Sequence, residues 1–185
     1  RHYMVDTSKR FEAVENLIDK GSYFTINRAR QYGKTTMLDT IWRRLSGRYL
    51  VVPLSFEGLD NAAYASNAAF VQKFANQMAK HLSTLKLSEE SVALWQHCQA
   101  TSMDELSALV TEFCGKVSQP VVVTIDEVDK SSDNQLFLNF LGMLRNKYLE
   151  RNRDSENLTF HSVILAGVYD IKNLKLKLRP DAEKK

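Results

Sequence analysis

The sequence has little of what would mark several large protein classes. It holds no run of about 18 consecutive apolar residues, so no segment reads as a membrane-spanning helix. No signal peptide is visible at its start. Its two cysteines, Cys98 and Cys114, have no metal-ligand spacing and read as free thiols of a reducing, cytoplasmic setting. The four histidines, His2, His81, His97 and His161, are scattered and make neither a triad nor a metal set. Glycine and proline are scarce, at seven and three. There is no low-complexity linker and no internal repeat. A net charge of +3 is too small to argue for nucleic acid by itself, so that partner stays open.

What is present is ordinary globular composition. In 185 residues, 44% are apolar and 25% charged, enough for one domain, residues 1–185, with a substantial core. The chain starts at Arg1 and ends D-A-E-K-K, which reads as the N-terminal part of a longer protein with a further domain after it.

The stretch from Tyr23 to Thr40 carries the first chemistry. Tyr23 to Asn27 is a short apolar strand. A tight loop follows, then a helix with Met37, Leu38, Ile41, Trp42 and Leu45 as its apolar positions. At the junction stands Gly33-Lys34-Thr35-Thr36, the second half of a phosphate-binding loop, G-x-x-x-x-G-K-[ST]. Gly33 lets backbone approach a phosphate without a Cβ in the way. The next N–H groups are the unpaired donors of a new helix, aimed at an anion. Lys34 reaches the β- and γ-phosphates, and the Thr35 hydroxyl suits a magnesium ion. Arg30, Gln31, Tyr32 and Thr36 complete the cradle. The first glycine of the pattern is absent, since Arg28 stands there. The bare triplet turns up by chance in roughly one chain in ten of this length, so the flanking strand and helix carry the assignment.

The other elements follow in order. Residues 1–7 read as extended. A helix starts at Ser8 with Phe11, Val14, Leu17 and Ile18 as its stripe and ends at Gly21. The phosphate-loop helix runs from Lys34 to Ser46, with Gly47 as the stop. Tyr49 to Phe56 is a strand, and Pro53 within it, lacking an N–H, predicts a sheet edge. Residues 62–117 are helical, over Asn67–Leu82, Glu89–Cys98 and from Ser102, which forms a capping box with Glu105. Aromatic and methionine positions there read as core. Pro120 to Asp126 is a buried strand. A helix over Asp133–Arg151 carries Arg145, Lys147, Arg151 and Arg153 on a side and end expected to be a solvated basic face. Leu158 to Ala166 is a fourth strand, stopped by Gly167, with a turn or short helix over Val168–Leu174.

The second chemical signal is V-V-V-T-I-D-E, Val121 to Glu127. Acids at the end of a buried strand suit the carboxyl edge of an open α/β sheet, where ligands bind. In nucleotide hydrolases the first such acid holds magnesium and the next orients the attacking water. That assigns Asp126 to the metal and Glu127 to the water. Asp129 reads as a weaker candidate or a turn residue.

Loop after strand one, acids after strand three and a further strand beyond resemble the P-loop NTPases with sheet order 5-1-4-3-2. The expected fold is α/β: a three-layer, parallel-sheet P-loop NTPase of the AAA-like branch, lacking its fifth strand through truncation. The run I-N-R-A-R-Q-Y-G-K-T-T is similar to loops of the bacterial "AAA-ATPase-like" family, where arginine typically replaces the first glycine in sequences resembling R-P-R-R-F-G-K-S. On that resemblance Arg28 is a family trait, and Ala29 stands where proline is frequent. Y-M-V-D-T-S, T-I-D-E-V-D-K and L-A-G-V-Y-D-I-K-N-L resemble the same family, so the likeness covers nearly the whole chain. It implies an ATP-binding domain with Mg2+, in a family whose members often carry further C-terminal domains, some nuclease-like. Related ATPases sense the γ-phosphate with a polar residue ending the fourth strand. Here Leu165-Ala166-Gly167 lacks one, leaving Tyr169 or Asp170 as substitutes. Arg28 and Arg30 add positive charge near the phosphates or pair with surface acids. No arginine finger is assigned, and Arg145 and Arg151 stay outside the site.

The expected function is a bacterial, cytoplasmic ATPase module that binds ATP and Mg2+. Lys34 and Glu127 are its catalytic groups, and Thr35 and Asp126 its metal ligands. Homo-oligomerisation stays open. One alternative is a scaffold or nucleic-acid binder that has lost nucleotide. Another is a P-loop kinase, against which Glu127 argues, having no clear role when a bound hydroxyl attacks.

Overall fold

A computed structural model describes residues 7–27, 34–57, 59, 61–128, 134–154 and 156–167. Among the described residues four strands form one sheet: β1 (Tyr23–Asn27), β2 (Leu50–Ser55), β3 (Val121–Asp126) and β4 (Ser162–Gly167). Six helices accompany them among the same residues: α1 (Thr7–Asp19), α2 (Lys34–Leu45), α3 (Asn67–Leu82), α4 (Glu89–Gln96), α5 (Met103–Lys116) and α6 (Gln135–Arg153). A short 3-10 turn, Asn61–Tyr64, leads into α3.

Local chemistry sets most element ends. Ser66, Ser88 and Ser102 cap α3, α4 and α5 through their side chains. Ser102 and Glu105 close the expected capping box. Asn134 caps α6 by accepting the Leu136 N–H at 2.8 Å. Gly21 ends α1 at φ +66, with its N–H on the Ile18 carbonyl and that of Ser22 on Leu17. A side chain there would be strained, hence glycine.

All pairings are parallel, and the order is β1-β4-β3-β2. This is the expected 1-4-3-2 run. Consecutive strands in the chain are not all neighbours, so the helices act as crossovers and pack on both faces. β2 is an edge strand, as Pro53 requires.

Period-two alternation divides the core. On one face Val122, Ile164 and Ala166 pack with Phe11 and Ile18 of α1 and Met37, Leu38, Ile41 and Leu45 of α2. On the other, Val121, Val123, Ile125, Val163 and Leu165 pack with α3 to α6. That second layer is strongly aromatic. Phe140 lies 5.2 Å from Phe74 and 5.3 Å from Phe70, and Trp95 lies 5.5 Å from Phe113, all fully or almost fully buried. Each such ring contributes roughly 1.5–3 kcal/mol by leaving water. The aromatic positions are core, as their spacing indicated.

Three expectations need correction. Lys147 is 6% exposed rather than solvated, its ammonium donating to Thr111 Oγ1 at 2.5 Å. Burial pulls its pKa down. Arg151 is half-buried and faces inward. Its guanidinium donates to the carbonyls of Gly21 (2.7 Å), Phe160 (2.9 Å) and His161 (2.7 Å). The basic-face reading fails at these two positions because the helix is covered on that side, while Arg145 and Arg153 are exposed. The fourth strand begins at Ser162, not Leu158. Before that, side chains take the carbonyls a ladder would use: besides Arg151, the Tyr23 hydroxyl donates to Phe160 at 2.7 Å.

Candidate functional site

Because all four strands run the same way, their carboxyl ends share one edge. β1 ends there at Asn27, β2 at Ser55, β3 at Asp126 and β4 at Gly167. The register is specific. Thr25 is level with Leu165, and Leu165 with Ile125. Asp126 is therefore level with Ala166 and Ile26, two strands away from β1. Two strand spacings make this about 10 Å between backbones.

The faces agree as well. Val122 packs into the layer that holds α2. Asp126, four residues on, shares that face by alternation. The helix that starts at Lys34 leaves the carboxyl edge on this same side, packing Met37, Leu38, Ile41 and Leu45 beneath it. Its first-turn N–H groups point back toward the edge, where their dipoles favour an anion. The start of α2 and Asp126 at the end of β3 thus lie at one edge and on one side of the sheet.

At the end of β3 the backbone is unusual. Asp126 Oδ1 accepts the N–H of the next residue, Glu127, at 2.7 Å. Glu127 takes φ +59, the only positive φ of a non-glycine among the described residues. An L-residue there costs about 1–2 kcal/mol, and such strain gathers at functional sites. Asp126 and Glu127 are both half-buried at this edge. Val128 then plugs into the aromatic layer at 2% exposure and fixes the turn.

β2 adds a polar group that the sequence reading did not single out. Ser55 is paired with Asp126 in the register. Its N–H donates to Gln77 Oε1 of α3 at 3.1 Å, and its Oγ accepts the Glu57 N–H at 3.1 Å. The Phe56 N–H donates to the Asp126 carbonyl at 2.9 Å, which clamps β2 against the acidic end of β3. A serine closing an otherwise apolar strand was the available signal.

Of the sequence-derived site residues, the backbones of Lys34, Thr35 and Thr36 form the first turn of α2. Asp126 and Glu127 lie at the same edge. Arg28, Arg30, Gln31, Tyr32, Gly33, Asp129, Tyr169 and Asp170 lie outside the described residues, as does the turn or helix expected over Val168–Leu174. Arg151 is bound at the amino edge, far from this end of the sheet, because Gly21 and His161 precede β1 and β4.

No curated protein matches the chain. Among solved structures, the ORC2 protein of Aeropyrum pernix is similar in two forms. Its ADPNP–ADP complexes give a TM-score of 0.53 at 13% identity, over 96% of this chain and 45% of that one. Its ADP form gives 0.50 at 11% identity, over 97% and 44%. This chain thus spans less than half the length of those proteins, and at such identities the likeness is one of fold. The profile of the AAA-like domain matches residues 2–173. With the 1-4-3-2 parallel sheet, the helix that starts at Lys34-Thr35-Thr36 and the strand that ends at Asp126, that match means that the chain belongs to the AAA-like domain family.

Proposed function

We propose that this domain binds ATP with Mg2+ at the carboxyl edge of its sheet and hydrolyses it, as the motor or switch of a larger cytoplasmic protein. The observation that carries the reading is the common edge and face of the α2 start and Asp126. The strained backbone of Glu127 and the nucleotides named with the ORC2 structures support it.

The roles follow from chemistry. Backbone N–H groups from Arg30 to Thr36 cradle the phosphates, and the Lys34 ammonium neutralises charge on the β- and γ-groups. The hydroxyl of Thr35 and the carboxylate of Asp126 are hard oxygen donors, which fits Mg2+. When bound, that ion would offset charge on the phosphate oxygens. The Asp126–Glu127 hydrogen bond holds the two acids in fixed relation. Glu127 orients a water in line with the γ-phosphate and accepts its proton as the water oxygen bonds to the γ-phosphorus and the bond from that phosphorus to the β,γ-bridging oxygen breaks, releasing ADP and phosphate.

Two measurements test this. Mg-ATP at 100 times its Kd should stabilise the protein by about 2.7 kcal/mol, an effect lost in Lys34→Ala. Glu127→Gln should keep that stabilisation and lose phosphate release. An unchanged melting temperature in excess Mg-ATP would favour the scaffold reading. Intact hydrolysis in Glu127→Gln would remove its assigned role, and phosphate transfer to an added acceptor would favour a kinase.

A further inference from the structure

β2 is an edge strand, and the outer side of an edge strand offers its backbone groups to any extended chain. Leu50 and Phe56 turn their N–H groups the other way, toward β3, donating to the carbonyls of Pro120 (3.0 Å) and Asp126 (2.9 Å). Backbone directions alternate along a strand. Val51, Pro53 and Ser55 therefore turn their backbone groups outward.

Each of these three positions is closed in its own way. The Ser55 N–H donates to Gln77 Oε1 at 3.1 Å. The His81 ring hydrogen-bonds to the backbone of Val51. Pro53, between them, has no N–H to offer. Gln77 and His81 stand one turn apart on α3, so they share a face of that helix. The helix itself is fixed, because Phe70, Phe74, Met78 and Leu82 are buried in the layer that also takes Val52 and Leu54 of β2. The core thus holds both polar side chains beside the strand.

His81 gives the arrangement its point. Its Nε2 is buried with no partner among the described residues. Among them, the bond to Val51 is what offsets the desolvation of the ring. The strand also needs closing. L-V-V-P-L-S carries no charge and only one polar residue. Without its proline such a segment pairs readily with its like.

We propose that Gln77, His81 and Pro53 form a latch that closes the β2 edge to strand addition, and that the chain it excludes is a second copy of this one. Two β2 edges related by a two-fold axis offer each other the same groups, so one pairing satisfies both. The inference does not depend on nucleotide binding.

The test removes the latch and measures association. Gln77→Ala, His81→Ala and Pro53→Val combined should sediment as larger species at concentrations where the parent keeps its own size. In a Gln77→Ala, His81→Ala background, Pro53→Cys should oxidise to a disulfide-linked dimer, mapped to position 53 by mass spectrometry. The same Pro53→Cys in the otherwise unmodified chain should give at least tenfold less of it. A triple variant that melts cooperatively and keeps the parent's size would overturn the proposal. So would equal cross-linking in the two backgrounds, or none at position 53 in either. If these variants do not fold, hydrogen exchange decides. The Ser55 amide should exchange at least tenfold faster in Gln77→Ala than in the parent or in Gln77→Glu, which keeps an acceptor oxygen. Equal rates in all three would overturn the latch.

Discussion

Asp126 Oδ1 accepts the Glu127 N–H at 2.7 Å, while Glu127 itself is held at φ +59. The bond and the strain are linked: the carboxylate secures the amide of a residue whose backbone would otherwise relax. The two adjacent acids, both half-buried, thus stand together at one sheet edge.

The strain at Glu127 predicts opposite effects for two substitutions. Glu127→Gly should leave stability unchanged or raise it by up to about 1 kcal/mol, because glycine occupies positive φ at no steric cost. Glu127→Val should lower it by roughly 1–2 kcal/mol, since a β-branched residue fits that region worst. Urea unfolding of both variants gives the answer. Equal stabilities would mean that the left-handed backbone is not kept in solution.

The amino edge is held by Arg151, and this too can be measured. Its guanidinium bridges the end of α1 to the start of β4 through three carbonyls and lies over Tyr23 and Tyr148. Arg151→Lys cannot reproduce that fork and should cost about 2–3 kcal/mol. Gly21→Ala should cost at least about 1 kcal/mol, because its Cβ would lie 3.2 Å from both Arg151 Nη2 and the His161 carbonyl at φ +66. Gly47→Ala, where the added atom meets nothing within 4 Å, is the control. ATP affinity should be unchanged in all three.

Two histidines make stability depend on pH. His161 donates through Nε2 to the Ile18 carbonyl at 2.8 Å and stacks on Tyr49. His81 is half-buried, with Nε2 lacking a partner among the described residues. Burial lowers both pKa values below the ordinary 6.5. The unfolded chain then takes up protons first as pH falls. Stability should be full above about pH 7 and decline below about 6.5, by at most ~1.4 kcal/mol per pH unit for each histidine. Denaturant midpoints between pH 5 and 8 measure the slope, which should flatten in a His81→Gln, His161→Gln double variant. An equally steep slope in that variant would exclude these two groups as its source.

Lys147 offers a test of buried charge. The ammonium has the Thr111 hydroxyl as a neutral partner, and burial disfavours its charge. Lys147→Met keeps the length and removes the desolvation cost, so it should be neutral or stabilising by about 1 kcal/mol. Thr111→Val, which strips the partner and leaves the charge, should destabilise by about 1–3 kcal/mol. The order of the two melting temperatures decides.

What the sequence determined by itself was local or periodic. The apolar runs of β2 and β3, the alternation that divides them between two faces, the serine caps and the Pro53 edge are each written within a few residues. So is the order of loop, acids and final strand, which restricts the sheet to few topologies. Tertiary structure alone decided matters that depend on distant neighbours. Lys147 and Arg151 look like solvated basic residues on a helix, but Thr111 and three carbonyls from elsewhere in the chain draw them inward. Ser55 gains meaning only beside Asp126, across a strand pairing of residues 71 apart. The left-handed backbone of Glu127 has no mark in composition, since glutamate does not favour it. It stands between a strand end whose carboxylate accepts its N–H and the buried Val128. Spacing along a chain encodes which face a residue takes, but not which partner waits there.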